Sequence, residues 1–369
     1  MRLQILWLTI FAIVLSAGCT AQSVTAVGST KTDPIAYLNR ALDEIQQHAL
    51  RRNTVDWPRV RAEAFSRVHR TDSTVDAYDA IRFALASLRD HHSSLHLTPA
   101  LEALDAQQHS ALAPGPTPDK EQLNFSPYVS RYGPEGHMET RYGRNFALVV
   151  VTKCSPENDH DFVAFETKLQ QIIKDLDDAH PSGWIVDLRG NVGGNMWPML
   201  AGIGPLLGEG DDLGEFFNTN GHAVWVYRNG VAGESENGKL DAYPPVAGQP
   251  YHIAGTPNVA VLIDRSTGSS GEAIAVAFRG RAHTRFFGEH TEGVSTVNEV
   301  FPLSDGAALL LTIGVQADRT GKQYPEGISP DVTLPGANQP ISPSLDPVVA
   351  AAEDWLNTAP PEPPLEPRR

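Results

Sequence analysis

A chain of 369 residues, 41% hydrophobic and 20% charged, is long enough for one large domain or two ordinary ones around a sizeable core. Its formal net charge of −15, with no Lys/Arg cluster to neutralise phosphates, argues against a nucleic-acid surface and points only to solubility. Two cysteines, Cys19 and Cys154, leave no room for a disulfide framework.

The chain opens on an export signature. Met1-Arg2 precedes an apolar run from Leu3 to Leu15, followed by Ser16-Ala17-Gly18-Cys19. A basic start, a short apolar stretch and small residues predict a secretory signal over 1–21 rather than a membrane span. Gly18-Cys19 resembles a lipobox, although Ser16 stands where that pattern has Leu. It predicts an exported protein, periplasmic or anchored to a membrane through a lipidated Cys19, with ordinary cleavage at a nearby small residue as the alternative. With Cys19 lipidated or removed, Cys154 reads as a buried or incidental thiol.

Residues 22–97 predict a small helical domain behind a polar tether. Ile35, Leu38, Leu42 and Ile45 form one stripe, with Asp33-Pro34 as cap and first-turn proline. Asp56-Trp57-Pro58 and Ser73-Thr74 open two more helices. The segment closes on Asp90-His91-His92-Ser93. Residues 98–144, with Ala113 to Pro118 as the strongest linker signal, read as a linker or irregular insert. An α/β core is expected over 145–340. Its strands, among them Phe146–Val151, Trp184–Leu188 and Val259–Ile263, are apolar runs alternating with helices, the pattern of a largely parallel sheet covered on both faces. Residues 341–369 supply a last short helix, Val348–Leu356, and a proline-rich tail.

Within the core, Val259–Ile263 is a buried strand that ends in Asp264-Arg265-Ser266-Thr267-Gly268-Ser269-Ser270-Gly271-Glu272. Ala273, Ile274, Ala277 and Phe278 then recur at helical spacing. A serine at such a turn projects past the sheet edge, and the helix start behind it offers free N–H groups to a developing anion. Ser269-x-x-Glu272 is equally a capping box, so the stretch alone leaves Ser269 between helix cap and nucleophile. A second strand runs into Gly190-Asn191-Val192-Gly193-Gly194. Its glycines let backbone N–H groups approach a reacting carbonyl, and it matches neither of the common nucleotide-binding glycine patterns.

Taken together, these stretches resemble the carboxyl-terminal-processing (tail-specific) serine peptidases. Asp187-Leu188-Arg189-Gly190-Asn191-Val192-Gly193-Gly194 is similar to their D-L-R-x-N-x-G-G, Ser266 to Glu272 to their S-x-x-S-x-x-E, Gly288 to Gly293 to their G-E-x-T-x-G, and Glu326 to Asp331 to their E-G-x-x-P-D. The Ser–Lys members carry Lys directly after G-E-x-T-x-G. Here that position is Val294, which cannot carry a proton. Asp90-His91-His92-Ser93 resembles instead the D-x-H-[ST] segment of the tricorn branch. The resemblance implies an α/β crotonase/Clp-protease-like core with a small helical N-terminal domain, and peptide or protein substrates hydrolysed without metal or cofactor. It implies Ser269 as nucleophile, His92 as general base, Glu326 orienting that His, and His91 in the place of a linking residue. Gly193, Gly194 and Ser270 would form the oxyanion hole. A histidine also suits the task on its own chemistry, because its ordinary pKa of about 6.5 lets it take and return a proton near neutrality. Asp187 reads as a structural acid at a strand end. Asp211 and Asp212 are candidates for a substrate-binding pocket, against a solvated loop. The interval before the core is too short for the PDZ domain many processing peptidases carry. Competing readings are a non-catalytic protein that binds a peptide or apolar ligand on the same fold, and an esterase or other acyl hydrolase. Oligomeric state is not legible.

Overall fold

A computed structural model describes residues 33–69, 72–110, 127–155, 159–218, 221–334 and 346–360. The export signal, Cys19, the linker signal at 113–118 and the tail beyond 360 lie outside the described residues.

The helical layer is built as its caps direct. Asp33 accepts from the Ile35 N–H at 2.9 Å to start α1 (Pro34–His48), and Asp56 accepts from Arg59 N–H at 3.3 Å to start α2 (Trp57–Ser66). A short 3₁₀ turn leads into α3 (Tyr78–Ala86). The next segment holds β1 (Ser94–His96) and α4 (Pro99–Ser110). A hairpin of β2 (Glu135–Arg141) and β3 (Arg144–Val150) enters the core. Then come α5 (Asp159–Asp177), β4 (Trp184–Asp187) and α6 (Met196–Leu207). Four strands follow, β5 (Gly214–Asn218), β6 (Gly221–Arg228), β7 (Val231–Glu236) and β8 (Lys239–Ala242). β9 (Val259–Ile263) leads through the serine turn into α7 (Ser270–Phe278) and β10 (Thr284–Gly288). The chain closes with β11 (Thr296–Pro302), β12 (Ala308–Asp318), β13 (Val332–Thr333) and α8 (Pro347–Thr358).

Two sheets result. The core sheet runs β13-β10-β9-β4-β3-β2 and is parallel except for β2. Alternation along its strands divides its two faces. Ala147, Val149, Val186, Val261 and Ile263 face α5, α6 and α7, whereas Phe146, Leu148, Val150, Ile185, Ala260 and Leu262 face α8. The expected parallel sheet covered on both faces is therefore present.

A second sheet lies beyond the single parallel one expected. It is seven-stranded and antiparallel, ordered β1-β12-β5-β6-β7-β8 with β11 also on β12. α1, α2 and α3 pack on Leu309, Leu311 and Ile313 of β12, so the helical segment shares one core with this sheet. Asp305, in the β11–β12 turn, is buried and fixes that union. Its carboxylate accepts from Tyr37 Oη (2.8 Å), Tyr78 Oη (2.7 Å), Thr74 Oγ1 (2.7 Å) and the Ala307 N–H (3.0 Å).

Residues 98–144 depart from their reading as linker or insert, since they contain α4 and β2. β2 is an outer, antiparallel strand whose residues are exposed or half-buried, and so it lacks the apolar alternation that marks a buried strand.

Candidate active site

Ser269 sits between β9 and α7 with φ 51° and ψ −117°, a backbone region that favours glycine. The surrounding turn holds it there. Gly271 N–H donates to Gly268 O (2.8 Å), and Ser269 N–H donates to Glu272 Oε2 (3.0 Å). Glu272 thus completes the reciprocal half of a capping box, its side chain accepting from the backbone of Ser269.

The glycine turn is clasped to the serine turn. Gly268 N–H donates to Asn191 O (2.9 Å), Ser270 Oγ to Gly194 O (2.5 Å), Thr267 Oγ1 to Leu188 O (3.0 Å), and Gly190 N–H to Asp264 Oδ1 (3.1 Å). Gly193 faces the nucleophile so closely that a Cβ there would stand 2.9 Å from Ser269 Cβ and 3.1 Å from Ser270 N. Only glycine permits that approach. The three residues expected to form an oxyanion hole are therefore adjacent to Ser269, but not equivalent. Gly193 N–H already donates to Asn191 Oδ1 at 3.0 Å. The Gly194 and Ser270 N–H groups carry no hydrogen bond among the described residues.

Glu272 is a hub, beyond the cap and motif position that the sequence shows. Its buried carboxylate accepts from Ser269 N–H (3.0 Å), Thr291 Oγ1 (2.5 Å), Gly293 N–H (3.0 Å) and Val294 N–H (3.0 Å). Burial pushes its pKa up to about 7, against the pull of those donors. It fastens the loop before β11 to the nucleophile turn. Glu292 of that loop is exposed and lays its carboxylate against Gly268.

His92 lies in the turn before β1. Asp90 shapes that turn, accepting from His92 N–H (3.2 Å), Ser93 N–H (2.9 Å) and Ser93 Oγ (2.6 Å). Ser93 Oγ in turn accepts from Thr312 N–H of β12 (2.9 Å). The half-buried imidazole has Thr296 Oγ1 2.6 Å from its Nδ1. Burial pushes its pKa down to about 4, with the charge of Asp90 opposing.

Several expected roles are not met by the geometry. Glu326 was assigned to orient His92, but Nδ1 is taken by Thr296. The Glu326 side chain is exposed, and its backbone carbonyl faces Gly293. His91 is exposed at φ 58°, and its ring makes no hydrogen bond among the described residues, so it links nothing to the site. Asp211 and Asp212 are exposed beyond the far end of α6, which is about 18 Å long at 1.5 Å per residue. Asp211 pairs with Arg228. Asp212 neighbours Arg319, which donates to Ala277 O at the end of α7 opposite Ser269. These acids line no pocket at the nucleophile.

Asp187 is structural: it accepts from the Arg189 N–H at the start of the glycine turn (3.1 Å) and grips two arginines. Arg189 Nε and Nη2 reach it at 2.8 and 2.9 Å and Arg131 Nη1 at 2.7 Å. Burial works against its charge, but these guanidiniums hold its pKa down at about 2. Arg189 also reaches Asp346, the cap of α8, at 2.7 Å. Cys154 is buried, and burial raises its pKa, which keeps the thiol protonated. Among the described residues, no group of His, Cys, Asp and Glu is placed to hold a metal ion, and no helix is long and apolar enough to cross a membrane.

Known proteins resemble this chain in sequence and in fold. The nisin-resistance protein of Lactococcus lactis subsp. lactis is 36% identical over 157 residues, covering 41% of this chain and 46% of that protein. Carboxyl-terminal-processing peptidase 2 of Arabidopsis thaliana, from the chloroplast, is 26% identical over 168 residues, covering 45% and 29%. The matched segment thus spans less than half the length of these relatives. A solved lipoprotein from Streptococcus agalactiae superposes with a TM-score of 0.62 at 21% identity, covering 89% of this chain and 97% of that one, which shows a shared fold. Residues 148–334, just over half of the chain, match the family model. From β3 through the glycine turn, the serine turn and the loop that Glu272 fastens, this chain belongs to peptidase family S41.

Proposed function

We propose that this protein is an exported serine peptidase that hydrolyses peptide bonds through an acyl-enzyme on Ser269, with His92 as general base. The observation that carries it is Ser269 itself, held at φ 51° on the start of α7 and pressed against a glycine turn that has N–H groups to spare. Strain of this kind, about 1–3 kcal/mol, persists where the surroundings over-determine it, and it clusters at active sites.

In this mechanism the Ser269 Oγ–H proton passes to His92 Nε2 as Oγ bonds to the substrate carbonyl carbon. The Gly194 and Ser270 N–H groups receive the oxyanion, as the Gly193 N–H is engaged by Asn191. The imidazolium then gives its proton to the leaving amine, and water repeats the sequence to release the acid. With its pKa near 4, His92 stays neutral and competent well below neutral pH. Peptide and protein substrates are what membership of this peptidase family supports. The N-terminal signature supports export, with a lipidated Cys19 as the membrane anchor.

Labelling with a fluorophosphonate serine-hydrolase probe tests this reading. The wild-type protein is expected to label at neutral pH, Ser269→Ala not at all, and His92→Ala at least about a hundredfold more slowly. Glu326→Gln is expected to label like wild type, given the exposed position of that carboxylate. A folded wild type that never labels would sink the proposal.

A further inference from the structure

The Nδ1 partner of His92 is a hydroxyl, where a serine hydrolase ordinarily sets a carboxylate. We propose that Thr296 is the positioning residue for the base, selecting the imidazole tautomer that leaves Nε2 free to take a proton. This rests on the reading of His92 as the general base.

The contact admits the direction that a base needs. Thr296 Oγ1 has two neighbours, His92 Nδ1 at 2.6 Å and the Val294 carbonyl at 3.5 Å. A carbonyl can only accept, so a threonine proton turned to Val294 leaves the oxygen lone pairs facing the ring. Nδ1 then carries the hydrogen and donates, which leaves the Nε2 lone pair bare. Had Nδ1 been the acceptor, Nε2 would hold the proton and the ring could not act as a base.

Threonine is also fixed in place from both sides. Thr296 opposes Val315 across the β11–β12 pair, and its N–H donates to Val294 O at 2.8 Å. Val294 N–H in turn donates to the Glu272 carboxylate that holds Ser269 N–H, each at 3.0 Å. The partner of the base and the nucleophile therefore hang from one carboxylate. β-branching restricts Thr296 χ1, so its hydroxyl is aimed rather than mobile.

A hydroxyl orients an imidazole but cannot neutralise an imidazolium. The charge set against His92 is Asp90 of its own turn, whose carboxylate is spent on backbone N–H groups and Ser93 rather than on the ring. From β11 and β12 no charged side chain hydrogen-bonds the ring among the described residues, and Glu326 is exposed in its own turn. Thr296 therefore supplies geometry and Asp90 supplies what electrostatic support the cation has.

The test measures the second-order rate of fluorophosphonate labelling against pH for the full chain and for Thr296→Val, Thr296→Ser, Thr296→Asp and His92→Ala. Thr296→Val keeps shape and β-branching but cannot accept, and is expected to slow labelling about 10- to 100-fold. Thr296→Ser should recover to within about threefold of wild type, because the hydroxyl is restored. Thr296→Asp places a carboxylate at Nδ1 and should move the acid limb of the pH profile upward by roughly one unit or more. If Thr296→Val labels like wild type while His92→Ala does not label, the role of Thr296 is overturned and His92 stands as base. If His92→Ala labels like wild type, the base assignment itself fails. Should Thr296→Val not fold, the Thr296→Asp profile decides, and an unmoved acid limb overturns the proposal.

Discussion

Ser269 occupies a backbone conformation that a glycine would adopt without strain, so its side chain is retained against local stability. Ser269→Gly is expected to be about 1 kcal/mol more stable than Ser269→Ala, since both lose the hydroxyl and only one loses the strain. Equilibrium denaturation of the two variants measures this, and equal midpoints would mean that the turn is not strained. The serine and its glycine neighbours were legible in the sequence because close approach restricts residue type at fixed spacing. Glu272 was visible as a helix cap and a motif residue but not as a hub, because three of its four donors come from residues 19 to 22 positions away. Thr296 gave no signal at all, since a threonine in a strand is ordinary and its meaning depends on which turn lies beside it. Asp211 and Asp212 misled for the complementary reason. They follow the glycine turn closely in sequence, but a helix carries the chain away from it.

Between elements, the decisive joint is Asp305 in the β11–β12 turn, where three hydroxyls from the helical layer converge. Asp305→Ala leaves those buried donors without an acceptor and is expected to cost about 3 kcal/mol or more. It should also reduce labelling, because β11 carries Thr296. A denaturation midpoint unchanged by Asp305→Ala would show that the helices hold to the sheet by apolar packing alone. The helices were legible, with their caps and stripes, and so were the buried parallel strands. The antiparallel sheet was not, because β5 and β7 are short and partly exposed, β8 is exposed throughout, and all three come from a glycine-rich section. Nor could the sequence show that the helical segment is one layer of a shared core rather than a domain of its own.

For the molecule as a whole, stability is tied to pH through buried acids. Glu166 of α5 is 2% exposed, and burial pushes its pKa from an ordinary 4.5 up to about 8. In that window the folded chain keeps a proton that the unfolded chain releases, so stability falls as pH rises and the contribution is lost on passing the folded value. Glu166→Gln should flatten this slope and raise the denaturation midpoint at pH 8 relative to wild type. A wild-type midpoint that is level between about pH 5 and 8 would contradict it. His92 acts with the opposite sign, since its depressed pKa stabilises the fold above the ordinary histidine value and loses that stabilisation as pH falls through about 4. The union of the helical layer with β12 has one more consequence. Ser93, beside the base, is locked by Thr312, 219 residues later in the chain. Until β12 is in place Ser93 lacks the Thr312 N–H that fixes it, so the turn that carries His92 is expected to order only after nearly the last strand has folded.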